Sequence, residues 1–432
     1  QKLLSKIWTS DTHLYKVEAG YHLAGITTKD GQLVLEAAKI FGEVSDRYPK
    51  HELAADARLK QGTILSTFGK YGEAQTAFEQ FAVAYPDHKE MDNAAYQLGL
   101  CLMERNHWDQ ALKSYAKIPK NSEWRDEALY QSAWCAKRME RKPVAIGHYK
   151  EVLEEHKKSP LIAYTTIELA ELEFETGEFD AAINRLERLV SSNAEAELKV
   201  RAQHRLGWCY FEKKEFTKAA GMYELALPRV VKELWVNTVW QAGESRLRAG
   251  EYGMASSHFL AITKTQKLTD KNLLQLQEQA WLRLGYSQAL DKKWEDSGRT
   301  YTLFINNYHK HPHQRLAYAG LGIALKEQKL YREAITVFHK IIKNAERDEL
   351  GAKAQYWLAE CFLDQKEYDL AITEYAKVEL YPFEEWQAKA VYESAVALER
   401  KGDGMKANEQ FKKLILKYPH TEAAKIAAKR EK

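Results

Sequence analysis

The sequence predicts an all-α protein, a solenoid of about eleven tandem helical hairpins, and three observations carry that prediction. The first is a pair of amphipathic patterns in residues 55–87, ADARLKQGTILSTFGKYGEAQTAFEQFAVAYPD. Ala57, Gly62 and Leu65 mark the first, and Ala74, Phe78 and Phe81 the second. Spacings of three, four and seven residues belong to a helix face, not to a strand. The second is punctuation: Gly69 breaks the first pattern, and the Tyr85-Pro86 step ends the second. The third is recurrence. A hairpin this short cannot bury both apolar faces alone, so it needs copies beside it, and the chain supplies them.

The copies keep register. Gly-x-Tyr/Phe-x-x-Ala, or a near variant, returns at Gly177, Gly250 and Gly402. The small residue of the first helix returns at Gly25, Gly99, Ala170, Gly207, Gly243, Gly285, Gly322 and Ala359. The alanine opening the second helix returns at Ala37, Ala74, Ala111, Ala145, Ala182, Ala219, Ala255, Ala334, Ala371 and Ala407, with Ser297 in that slot once. Successive gaps are 37, 37, 34, 37, 37, 36, 42, 37, 37 and 36 residues, which makes eleven units between about Glu18 and Pro419.

This pattern resembles the tetratricopeptide repeat family, a helix–turn–helix of roughly 34 residues with a W-x-x-L-G-x-x-Y…A-x-x-x-F…P signature. Tyr356-Trp357-Leu358-Ala359 and Leu206-Gly207-Trp208-Cys209-Tyr210 match its first half; Ala74-x-x-x-Phe78 with Pro86 matches its second. Most gaps exceed the family period by two or three residues, and second helices end in Tyr48-Pro49, Tyr85-Pro86, Tyr381-Pro382 and Tyr418-Pro419. Those two features are similar to bacterial envelope repeat proteins, which implies the periplasm as the compartment. The resemblance also implies a right-handed superhelical solenoid whose first helices line a concave, partner-binding face.

In chain order, residues 1–17 form either the remnant of an earlier repeat, with Leu4 and Ile7 in core positions, or a capping helix. The start at Gln1 leaves both readings open. Units one to seven occupy residues 18–265. Unit three is short, its second helix ending near Pro119; unit four carries Pro143 in the first turn of its second helix, where proline fits. Residues 266–277, inside KTQKLTDKNLLQLQ, are a longer inter-repeat segment: a lengthened second helix or loop, or a hinge or partner-binding excursion. Units eight to eleven occupy 278–419, and 420–432 forms a polar capping helix over the last apolar face.

Composition excludes several function classes. Lys+Arg 64 against Asp+Glu 61 gives a net charge of +3, so no electrostatic pull on nucleic acid or an anionic membrane follows. No apolar run approaches the roughly 20 residues of a membrane span. Cys101, Cys135, Cys209 and Cys361 all stand two residues after the small residue of a first helix, a packed slot for a small apolar side chain. Their spacing is not that of a zinc or redox motif, and successive slots lie too far apart for a disulfide. Four buried thiols favour a reducing compartment, the cytoplasm being the alternative to the envelope.

Catalytic motifs are missing from the sequence: no Gly-rich phosphate loop, no GxSxG and no HExxH. His309, His311 and His313 are the one dense histidine cluster, and they fall on a proline-bearing turn, a solvated loop and not a metal site. The pairs Glu154-Glu155 and Glu384-Glu385 sit on exposed helix ends, without the enclosing cleft that acid–base work requires. The sequence therefore predicts no enzyme, no metal and no cofactor.

What remains is an aromatic stripe on the first helices. Tyr96, Tyr130, Trp134, His204, Trp208, Phe211, Trp240 and Tyr286 lie opposite the small residues, with Glu171, Arg201 and Glu244 on the same face in mixed sign. Large aromatics on an exposed stripe are binding anchors when not covered by neighbours. The family's carboxylate clamp uses Lys and Asn there, and isolated Lys137 and Asn237 do not reproduce it. The leading expectation is a non-enzymatic scaffold that binds protein or peptide partners, centred on units four to seven. The alternatives are a spacer or docking component of a large envelope assembly, and a recruiting domain of a longer enzyme.

Overall fold

A computed structural model describes residues 1–10, 14–28, 33–230, 232–266, 268–343 and 347–430. Among the described residues there are α-helices and one 3-10 turn, Leu227–Arg229, and no strand. The chain divides into two compact units, residues 1–205 and 206–432.

The helices pair as the register requires. After α1 (Lys2–Thr9), the first repeats are α2 (Lys16–Thr27) with α3 (Val34–Arg47), α4 (Ala54–Thr67) with α5 (Tyr71–Ala84), and α6 (Met91–Glu104) with α7 (Trp108–Tyr115). Next come α8 (Arg125–Arg138) with α9 (Lys142–Glu155), and α10 (Ile162–Glu175) with α11 (Phe179–Ser191). Repeats six to eight are α12 (Ala196–Glu212) with α13 (Phe216–Ala226), α14 (Lys232–Arg248) with α15 (Tyr252–Thr263), and α16 (Lys271–Leu290) with α17 (Trp294–Asn307). The last three are α18 (Gln314–Glu327) with α19 (Tyr331–Lys343), α20 (Glu349–Asp364) with α21 (Tyr368–Val378), and α22 (Glu384–Lys401) with α23 (Gly404–Lys417). A final helix, α24 (Glu422–Arg430), buries Ala423, Ala424 and Ala427 at the C-terminal end.

Each hairpin is closed by one packing motif. In every repeat but the fifth, where Leu186 takes its place, an aromatic ring four residues after the opening residue of the second helix packs against the small residue of the first. A Cβ on Gly62 would meet Phe78 at 2.6 Å, on Gly99 Tyr115 at 2.3 Å, on Gly207 Tyr223 at 2.6 Å and on Gly322 Phe338 at 2.4 Å. The opening alanines are fully buried in all ten hairpins that have one, and Ser297 is likewise buried. It donates a hydrogen bond of 2.8 Å to the Gly285 carbonyl, which satisfies its hydroxyl.

Repeat one departs from the register. Ala24, not Gly25, is the buried small residue, and Gly25 faces open space. Six residues separate α2 from α3, against three between α4 and α5, so α2 is not held to the same rotation. At the N-terminus the buried residue of α1 is Trp8, with Leu4 and Ile7 half-buried. The Trp8 ring occupies the space where Gly20 has no side chain. The long segment between repeats seven and eight lengthens neither α15 nor a loop alone. It feeds a 20-residue first helix, α16, whose start is capped by the Asp270 carboxylate accepting the amides of Asn272 and Leu273.

The turn inside the hairpin is equally regular. In repeats two to eleven the first helix ends on a residue with positive φ: Gly69, Asn106, Glu140, Gly177, Lys214, Gly250, Lys292, Lys329, Lys366 and Gly402. The next amide reaches back five residues, as Lys70 does to the Leu65 carbonyl at 2.8 Å and Leu330 to Leu325 at 2.9 Å. This is a Schellman closure, which satisfies carbonyls that the helix end would leave bare. Between repeats a side chain two residues before the helix boundary accepts a backbone amide: His51 Nδ1 from Leu53, His88 Nδ1 from Glu90, Ser159 Oγ from Leu161. The tyrosine of a Tyr-Pro ending ties neighbours together, Tyr85 donating from its hydroxyl to the Pro49 carbonyl at 3.2 Å.

All four cysteines are buried thiols. Burial pushes Cys135 and Cys361 up to about 12 and also raises Cys101, so these sulfurs stay protonated and inert.

Two substitutions test these packing and turn rules. Gly207→Leu drives a side chain into the Tyr223 ring and is expected to cost about 1–3 kcal/mol, overpacking being the cause; an unchanged thermal midpoint would contradict the packing described. Lys329→Gly relieves a left-handed lysine and is expected to stabilise by roughly 0.5 kcal/mol after the added freedom of the unfolded chain is offset. Guanidinium titration of the two proteins reads the sign, and destabilisation by Lys329→Gly would refute the turn argument.

Candidate functional site

The first helices form the inner layer of each unit. In the C-terminal unit α14, α16, α18, α20 and α22 approach one another across successive repeats, while no successive second helices among the described residues come as close. In the N-terminal unit α4 and α6 do the same. A row that is tighter on one side curves toward it, so the first helices carry the concave surface.

In the N-terminal unit this surface is largely engaged with itself. Tyr96 stacks on Trp124 at 5.2 Å, and Tyr130 leans on Tyr149 of its own hairpin at 5.6 Å. Burial raises both phenols. Trp134 meets Trp108 edge-on at 5.4 Å, with the Arg138 guanidinium 4.6 Å above its ring. The charged candidates join an ion-pair ladder. Lys137 Nζ lies 3.1 Å from Glu168 and 3.3 Å from Glu171; Arg205 donates to Glu171 at 2.6 Å; Arg201 stands 3.7 Å from Glu168. Lys137 is thus bound by two carboxylates, which raise its pKa against the opposing effect of burial.

His204, three residues before the small residue of repeat six, occupies the slot that Tyr96 and Tyr130 fill in theirs. Burial lowers its pKa to about 4, and the neighbouring Arg205 cation adds to the effect. At neutral pH the ring is therefore uncharged.

The same unit holds a cavity of about 810 Å³ over repeats one and two. Tyr21, Asp56 and Lys60 form a hydrogen-bonded trio in its wall, with Lys60 2.8 Å from Asp56. The sequence-based stripe did not include this trio. Its signal was the Asp-x-x-x-Lys spacing on α4, which reads as an ordinary i,i+4 surface pair.

In the C-terminal unit Trp208 is half-buried, Phe211 lies edge-on to Phe216 at 5.3 Å beneath Arg248, and Trp240 meets Phe259 at 5.4 Å. Glu244 is 9% exposed and accepts from Arg283 Nε at 2.6 Å. Tyr286 differs from these: 46% of it is exposed. It stands in a cavity of about 460 Å³ that runs over repeats seven to ten, walled by Trp240, Tyr301, Leu316, Ile323 and Trp357. Arg283, His313 and Lys353 give the wall its charge, all of one sign or neutral. Leu316, itself 49% exposed, Ile323 and Trp357 were not among the sequence-based candidates; Leu316 and Ile323 continue the slots of Arg201 and Tyr286 into repeat nine, whereas Trp357 stands one residue past the slot of Tyr96 and Tyr130.

No cluster of three or more potential metal ligands occurs among the described residues. His311 is a structural turn residue: Nδ1 accepts the His313 amide at 3.1 Å, and Nε2 lies 3.2 Å from the Glu278 carboxylate. His309 and His313 are exposed. No helix among the described residues is long and apolar enough to cross a membrane.

Comparisons with known proteins find repeat proteins and one envelope family. The tetratricopeptide repeat family model matches residues 309–385, and the outer membrane lipoprotein family model matches residues 19–220. A TPR repeat-containing protein of Methanocaldococcus jannaschii is 23% identical over 344 residues, which is 71% of this chain and 58% of that protein. The chain thus spans less than two thirds of that relative's length. Among solved structures, a tetratricopeptide repeat protein from Parabacteroides merdae covers 60% of this chain and 93% of its own at 16% identity, with a TM-score of 0.36. The TPR domain of P58(IPK) covers 89% and 99% at 16% identity, with a TM-score of 0.26. The chain is an all-α repeat solenoid whose residues 309–385 match the tetratricopeptide repeat family, and the outer membrane lipoprotein match is consistent with the envelope variety. Such repeats are in general non-catalytic scaffolds for protein–protein interaction.

The His204 environment sets a pH response. Its unfolded value is 6.5 and its folded value about 4, so between these the unfolded chain binds a proton that the folded chain refuses. Stability is full above pH 6.5 and falls as the pH drops toward 4; His148, also lowered by burial, acts in the same direction. Thermal midpoints measured across this window should decline, and His204→Gln should flatten the decline. An equal slope in the variant would show that other groups carry it.

Proposed function

We propose that the chain is a non-enzymatic scaffold that holds a segment of a partner protein on the concave first-helix face of its C-terminal unit. The observation that carries this reading is Tyr286, an aromatic left 46% exposed inside an apolar cavity whose other aromatics are buried or half-covered by the chain itself. Leaving such surface bare is unfavourable, and aromatic side chains in concave pockets dominate binding energies. Trp208, Phe211 and Trp240 continue the same face. On the N-terminal unit Tyr96, Tyr130, Trp134 and exposed Arg201 offer a second contact surface, where Glu171 and His204 act chiefly as supports. Glu244 is a support too, since it holds Arg283 in place.

A second reading concerns place. The outer membrane lipoprotein match over 19–220 and the Tyr-Pro endings favour a docking component of an assembly in the bacterial cell envelope. The scaffold role does not depend on it.

Affinity purification with the wild-type chain and with Tyr286→Ala identifies partners that depend on the cavity. For such a partner Tyr286→Ala should weaken binding by about 2 kcal/mol, some thirtyfold, while the thermal midpoint stays nearly unchanged because the side chain is half in solvent. A partner set identical for both proteins would refute the cavity as the docking site.

A further inference from the structure

Repeat nine hollows the first-helix face. Three residues before the small residue, every other first helix carries a large side chain, as with Tyr130, Trp240, Leu282 and Tyr356; repeat nine has Ala319. Two residues before it, where the flanking repeats carry Arg283 and Trp357, repeat nine has Gly320. The buried Tyr301 ring packs over that glycine, whose Cβ would meet it at 2.3 Å. The bulk missing at these two positions leaves room for the cavity of about 460 Å³ around Tyr286, which Ala319, Gly320 and Tyr301 line together with Trp240 and Trp357. Two large apolar side chains in it, Tyr286 and Leu316, stay about half exposed.

The charge of this cavity has one sign. Its lining holds Arg283, Lys353 and His313 and, among the described residues, no carboxylate. The two cations are steadied from outside the lining: Arg283 Nε donates to Glu244 at 2.6 Å, and Lys353 Nζ lies 2.8 Å from Glu349. That contact occupies one of the five N–H groups of a guanidinium. No acceptor among the described residues takes the Nη1 and Nη2 groups of Arg283, and its side chain is half exposed. Glu244 thus fixes the guanidinium by one edge and leaves the other edge able to hold a carboxylate through two parallel hydrogen bonds.

Resting on the scaffold reading above, we propose that the cavity takes an acidic segment of the partner protein, in which an aspartate or glutamate stands beside a large apolar residue. The apolar side chain fills the hollow of repeat nine against Tyr286 and Leu316. The neighbouring carboxylate docks on the free edge of Arg283, with Lys353 adding to the attraction. The apolar contact supplies affinity, and the charge selects acidic segments over neutral or basic ones. The lining runs over the first helices of four repeats, from Trp240 to Trp357, which suits a segment passing through more than a chain end.

The test uses the full chain and three peptides, N-acetyl-Phe-Glu-Leu amide and its Gln and Lys counterparts at the central position, titrated by saturation-transfer NMR. Saturable binding of the Glu peptide with a Kd on the order of 1 mM is expected, with the Gln peptide about tenfold weaker and the Lys peptide weaker still. Added salt should weaken the Glu peptide and leave the Gln peptide unchanged. Arg283→Gln should erase the preference for Glu over Gln, and Lys353→Gln should reduce it. Tyr286→Ala should weaken both peptides by the same factor. The three-peptide comparison on the wild-type chain decides even where a variant fails to fold. Equal binding of the Glu and Gln peptides, or no saturable binding, overturns the proposal. A preference that persists in folded Arg283→Gln overturns it too. So does tighter binding of N-acetyl-Phe-Gln-Leu with a free C-terminal carboxylate than of the Glu amide, which would mark a chain-end site. The outcome is separable from the scaffold reading. Loss of partners in Tyr286→Ala with no preference for the Glu peptide sinks this inference alone. An Arg283-dependent preference with partners unaffected by Tyr286→Ala sinks only the cavity as the partner's docking site.

Discussion

The structure depends on one contact, the aromatic ring of a second helix lying against a residue with little or no side chain on the first. Phe78 on Gly62, Tyr115 on Gly99 and Tyr223 on Gly207 are three instances. Burying such a ring contributes about 1.5–3 kcal/mol by area, and it does so only if the helix backbones can approach. The small residue permits that approach, and the alanine four residues before the ring keeps the second helix equally close. Everything regular about the hairpin follows: its crossing, the length left for the turn, and the left-handed residue that closes it. Where the linker is longer, in repeat one, the contact survives but shifts by one residue, to Ala24.

The same contact decides which aromatics remain available to a partner. Three residues before the small residue, a side chain is drawn down onto the ring of its own hairpin, as Tyr130 is onto Tyr149 and Trp240 onto Phe259. One residue after it, a side chain points across to the next repeat. There a carboxylate finds an arginine and Tyr286 finds a cavity, whereas Trp134 turns back to Trp108 of the repeat before it. The charges follow the same geometry. Glu171 and Glu244 are oriented by cations of the following repeat.

The repeat period, the two helices of each unit and the burial of the alanine and cysteine slots were legible in the sequence, because each depends on spacing along one helix and on side-chain volume. The inter-helix turns were legible where glycine marks them, at Gly69, Gly177, Gly250 and Gly402. They were silent where lysine takes the same backbone conformation, at Lys214, Lys292, Lys329 and Lys366. A lysine carries no sign of that conformation, which the neighbouring helices impose. The histidine cluster could be read as a turn, but the role of His311 as an acceptor for a backbone amide needed coordinates.

The sequence by itself determined the fold class and which residues share the first-helix face, since both are properties of periodicity. Tertiary structure decided which residues on that face are occupied. Whether Glu244 is an outward charge or a buried brace rests on Arg283, thirty-nine residues away and one repeat on. Whether Tyr286 is covered rests on Leu316, Ile323 and Trp357, which approach it only when successive first helices stack. Distances between repeats are set by packing across the stack, and no local pattern along a single helix encodes them.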